Sequence, residues 1–166
     1  MMANGWRITT FNGLLLAAYF VPVWTSALLK IVVFPLRGVY DRANIGPAMF
    51  ANDYFAFTTL GMVRFAWLLA LAKFLVVTYF ALFAILSLSL SRRDSGASDE
   101  PLAFALAVGG LVSGVSMILA SKVGETAAMQ LHATETLMLV AGLALLVNDS
   151  RSYGVQRRRV PEAQAA

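Results

Sequence analysis

The chain has 166 residues, 59% hydrophobic and 13% charged, with a formal charge of +4 and no cysteine. Its mean hydropathy of +0.72 lies outside the soluble globular range and reads as an integral membrane protein with no room for a sizeable soluble domain. The missing cysteine excludes disulfides, thiolate metal sites, iron–sulfur ligation and thiol catalysis, and basic residues dispersed around apolar runs argue against a nucleic-acid partner.

Four segments reach the roughly 20 apolar residues that a spanning helix needs. The first, 13–35, contains Pro22, which removes an amide donor and predicts a kink. An apolar run after Arg7 also resembles a signal peptide, but its length and Trp24 favour a retained span. The loop that follows mixes aromatic and charged residues through Asp41, Asn44, Phe50, Asn52, Asp53 and Tyr54. Such a sequence predicts an amphipathic segment in the membrane interface, with a vestibule built from Asp41, Asn44, Asn52 and Asp53 as the alternative.

The second span, 62–90, carries Lys73 deep within it. An ammonium at that depth costs about 2.5–3.5 kcal/mol on insertion scales, so it should face protein or a polar cavity. Helical geometry puts Ala66, Ala70, Val77, Ala81 and Ala84 on the Lys73 face and Leu68, Leu71, Leu75, Leu82 and Leu86 opposite. Small residues admit a neighbouring helix, whereas a leucine face is solvated by acyl chains. Loop 91–101 is a hydrophilic turn, and Pro101 opens the third span, 102–121. That span carries a stripe of small residues with Gly110 and Gly114 at packing-motif spacing, expected to meet the fourth or the first span, with a homodimer seam as the alternative. A short connection then makes the third and fourth spans an antiparallel hairpin.

The fourth span, 126–147, adds His132 and Glu135 on one arc, with Glu125 at its start. Spans two and four run in the same direction, which puts Lys73 and Glu135 at matching depths of roughly 12–15 Å at 1.5 Å per residue. Arg64 and Glu125 match in depth too, but Arg64 lies about 180° around the helix from Lys73. Residues 1–150 thus form one membrane domain, and 151–166 a basic cytoplasmic tail whose Arg157, Arg158 and Arg159 anchor at lipid headgroups. The distribution of Lys and Arg favours both termini in the cytoplasm of a bacterial-type inner membrane.

The resulting expectation is an all-α four-transmembrane-helix bundle with an interfacial segment between helices 1 and 2. Its buried Lys73, His132 and Glu135 suit an ion pair that sets helix register, in a non-enzymatic subunit that forms homo-oligomers or joins other membrane subunits. The same residues suit a proton-linked transporter or channel. An i, i+3 His and Glu pair also occurs in metal-binding bundles, but one helix supplies too few ligands, so no metal and no cofactor are predicted. An intramembrane enzyme ranks third, because phosphate-loop, nucleophile-elbow and zinc-protease motifs are all missing.

Overall fold

The computed structural model of the chain describes residues 7–33, 42–88 and 98–164. Among them are five helices and no strand: α1 (Ile8–Val33), α2 (Arg42–Phe55), α3 (Thr59–Leu88), α4 (Asp99–Val123) and α5 (Thr126–Gln164). All but α2 are long and apolar enough to cross a membrane. α1 begins earlier than the apolar run suggests, because Thr9, Thr10 and Asn12 are helical, and it continues as one helix through Pro22. α5 also passes the expected end of its span, so Arg157, Arg158 and Arg159 lie on its helical continuation.

Helix ends follow from local sequence. Thr58 accepts the amide of Gly61 at 3.2 Å and so caps the start of α3. Asp99 and Glu100 place negative charge in the first turn of α4, where Pro101 also costs no hydrogen bond. That helix ends at Gly124, whose φ of +77° turns the chain back. The amide of Gly124 reaches the carbonyl of Ser121 and that of Glu125 reaches Ala120, satisfying the last carbonyls in a Schellman arrangement. The expected α4–α5 hairpin follows from this one glycine. Ala56, at φ +50°, plays the corresponding part between α2 and α3 without glycine's freedom.

α1 packs on α3 and α5, and α4 packs on the same two helices, so the spans close in the order α1, α3, α4, α5. α3 and α5 run parallel to each other and antiparallel to α1 and α4. The core between them centres on Phe20, Trp24, Val76, Phe80, Leu106 and Leu139. Phe20 stacks on Phe80 at 5.7 Å and meets Trp24 edge-on at 5.2 Å, which forms an aromatic layer across the bundle. Outside, Leu68, Leu71, Leu75, Leu82, Leu111 and Leu137 are exposed, a surface suited to acyl chains. Exposed Thr78 and Thr134 return their hydroxyls to carbonyls four residues back in the same helix, so neither asks lipid for a partner.

α2 does not stand apart from this bundle. Pro47, Ala48, Phe50 and Ala51 are buried, and Phe50 and Ala51 join Leu119, Ala120 and Ala128 in a second, smaller apolar cluster. Tyr54, Phe55 and Phe57 stay exposed beside it, the arrangement expected of an aromatic interface belt. α2 thus caps the end of the bundle at which α4 turns into α5.

Candidate functional site

Glu135 lies on the inner face of α5, only 3% exposed, and side chains from the other spans converge on it. Trp24 of α1 donates its indole N–H to Oε1 at 3.0 Å. Ser113 of α4 donates its hydroxyl to Oε2 at 3.2 Å. On α5 itself, Nδ1 of His132 lies 3.0 Å from Oε2, the spacing that an i, i+3 pair on one helical face allows. Lys73 of α3 completes the group, with Nζ 5.5 Å from the centre of the Trp24 ring and within electrostatic reach of Glu135. One carboxylate therefore gathers groups from all four spans.

The chemistry is that of a compensated buried charge. Both Glu135 oxygens receive donors, so the ionised form is solvated by protein in place of water. Lys73 supplies the opposite charge, with the π face of Trp24 beneath it. His132 contributes a nitrogen that donates to a carboxylate or accepts from a carboxylic acid, according to where the proton sits. Aromatic packing by Phe20 and Phe80 bounds the cluster on the side towards the start of α1. Among the described residues, no group of three His, Asp or Glu side chains converges as a metal site would require.

The remaining candidate residues fall elsewhere. Arg64 is exposed and forms no ion pair among the described residues, while Glu125 is half-buried at the turn before α5. Ala70 is buried on the Lys73 face and Ala66 is half-buried. Gly110 and Gly114 are half-buried: a Cβ added to Gly110 stands 3.9 Å from Leu139, and one on Gly114 stands 4.0 Å from Thr136, both on α5. The closer approach on α4 is one residue earlier, at Gly109, where an added Cβ comes within 3.3 Å of Leu139 and 3.4 Å of Val76. Gly109 and Ser113 have the same spacing as Gly110 and Gly114, and the broad buried face of α4 runs through the earlier pair. In the candidate vestibule, Asn52 is half-buried and Asp53 exposed, Asn44 lies on α2, and Asp41 falls outside the described residues.

Sequence reasoning did not find Trp24 and Ser113 as members of the cluster. It also did not find a second polar cluster, at the end of the bundle where α1 and α4 begin. There Arg7 bridges Asp99 at 2.9 Å and Asp149 at 2.8 Å, and Thr9 donates its hydroxyl to Asp149 at 2.6 Å. Burial alone opposes the charge on Arg7, but hydrogen bonds to Asp99 and Asp149 and their negative charges more than offset it. They hold its pKa above the ordinary arginine value. This cluster ties the first turns of α1 and α4 to α5.

The fold and its buried centre define a helical membrane-type bundle with a charged core. No family model, curated protein or solved structure matches the chain.

Proposed function

We propose that this chain is a small integral inner-membrane protein with both termini cytoplasmic. It acts as a non-enzymatic subunit that self-associates or docks within a larger membrane complex, and the Glu135 cluster fixes the register of its four spans. The observation that carries this reading is that one buried carboxylate bonds side chains of α1, α4 and α5 beside the Lys73 ammonium of α3. A helix that slips by one residue rotates its side chain by about 100° and leaves a buried charge without its partner, so the cluster penalises wrong registers. The orientation is supported by Arg7, Arg151 and the Arg157 to Arg159 run, all at the end that holds the described start of α1.

The second reading is a proton-linked transporter or channel. The contact between His132 Nδ1 and Glu135 Oε2 at 3.0 Å, beside Lys73, favours it, because a proton can sit on either partner.

Reconstituted vesicles separate the two. A subunit gives no flux with or without a pH gradient and purifies in mild detergent as a reproducible assembly. Gradient-dependent flux in the wild type, lost in Glu135→Gln while assembly is retained, establishes the transporter instead. A C-terminal reporter fusion with periplasmic activity would overturn the orientation.

A further inference from the structure

A groove of about 450 Å³ runs between the start of α4 and the far end of the α5 span. Its floor is apolar, built by Ala103, Leu143, Leu146 and Val147, and its mouth carries Glu100 and Arg151. A second hollow of about 390 Å³ continues along α5 and shares Leu143, Val147 and Arg151. The mouth lies at headgroup height, because the apolar stretch of α4 begins at Asp99 and that of α5 ends at Ser152.

The two charges at the mouth are what give the groove a specific occupant. Glu100 and Arg151 are both exposed, and neither forms a hydrogen bond or ion pair among the described residues, although they line one groove. Asp99, the other acid at the rim, is held by Arg7. A cation and an anion that share a groove without pairing complement a ligand with both charges at its polar end and an apolar tail. We propose that this groove binds a phospholipid with a primary ammonium headgroup, of the phosphatidylethanolamine type. Arg151 takes the phosphate, Glu100 takes the ammonium, and an acyl chain lies along Ala103, Leu143 and Val147.

Guanidinium and phosphate pair by charge-assisted hydrogen bonds, and an ammonium N–H does the same with a carboxylate. A choline headgroup has no N–H to donate to Glu100. A glycerol headgroup leaves Glu100 facing a lipid of net negative charge, with Arg151 as the one cation that lines the groove among the described residues. The ethanolamine headgroup satisfies both residues.

The inference rests on the chain residing in a bilayer, so its test monitors integration separately. The full chain is reconstituted in vesicles of equal parts phosphatidylethanolamine, phosphatidylcholine and phosphatidylglycerol. It is checked for resistance to alkaline carbonate extraction, then released in mild detergent, and retained lipids are counted by native mass spectrometry. Phosphatidylethanolamine should be retained preferentially at about one per chain. Glu100→Gln should reduce its preference over phosphatidylcholine about tenfold, equivalent to ~1.4 kcal/mol. Arg151→Gln should abolish retention of all three lipids, and both variants should melt like the wild type in lipid-free detergent. Equal retention of the three lipids, a preference for phosphatidylglycerol, or an unchanged preference in Glu100→Gln overturns the site while leaving the membrane reading intact. A chain extracted by carbonate overturns both.

Discussion

Trp24 and Glu135 are joined by a hydrogen bond of 3.0 Å between α1 and α5, and both residues are almost completely buried. The bond uses the polar edge of the indole, while the ring face lies beneath Lys73. Trp24 thus touches both charges of the core with one rigid side chain. Trp24→Phe keeps an aromatic ring in place but removes the donor to Glu135. Interhelical hydrogen bonds in membranes average below 1 kcal/mol, but a carboxylate acceptor strengthens this one, so the expected loss is about 1–2 kcal/mol. Reversible unfolding in mixed micelles measures it. A loss below the experimental error would show that Glu135 does not depend on α1.

Lys73 and Glu135 should behave as a coupled pair. Removing either charge alone leaves the other buried without its opposite charge, although Glu135 keeps its contacts with Trp24, Ser113 and His132; breaking a buried pair in this way costs about 3–5 kcal/mol. Lys73→Met with Glu135→Leu removes both charges and fills the space with apolar atoms. The double variant should be more stable than either single variant, and folded yield with thermal midpoint in detergent checks the order. Strictly additive losses would mean that the two charges are stabilised by separate surroundings.

The charged members of this core were legible because ionisable residues stand out within apolar runs, and because helical periodicity assigns a face to each. Trp24 and Ser113 were not, since tryptophan and serine are ordinary residues in membrane helices and nothing local marks the partner they reach. The hydrogen bond from Trp24 to Glu135 spans 111 positions and depends on how two helices are clocked about their axes. The same reasoning applies to Arg7, which reads alone as a topology signal. Its partners Asp99 and Asp149 lie 92 and 142 positions away and resemble solvated residues at the ends of spans. A separate element between the first two spans was legible in the mixed aromatic and charged sequence, and α2 is that element. Its docking through Phe50 and Ala51 was hidden, because those side chains pack with residues of α3, α4 and α5 and not with any periodic partner within the loop.

Gly142 should tolerate substitution less well than Gly109, Gly110 and Gly114, the described glycines within the paired spans α4 and α5. An added Cβ there would stand 2.8 Å from Leu16, 3.1 Å from Leu106 and 3.4 Å from Asn12, so three side chains must give way together. Gly142→Val should cost about 1–3 kcal/mol through overpacking and push α1 away from α5. Gly114→Ala, with only Thr136 at 4.0 Å, should change the thermal midpoint little. Melting both variants in the same detergent decides the matter, and a reversed order would place the tight seam on the other glycine.

Arg7 should act as a latch whose strength does not vary with pH near neutrality. Its folded pKa is raised, so its contribution is fully present below the ordinary arginine value and is lost only as pH rises through the raised one. Arg7→Gln leaves Asp99 and Asp149 partly buried without their shared cation, while Thr9 still donates to Asp149. Partial exposure screens the loss, which should be about 1–2 kcal/mol and should loosen the first turn of α1 from α5. Melts of wild type and variant should therefore stay separated by a constant interval from pH 7 to 10. Hydrogen exchange should quicken at the amides of Phe11 and Asn12 while those around Trp24 keep their protection. An interval that shrinks across that range would show that a different titrating group holds this end of the bundle together.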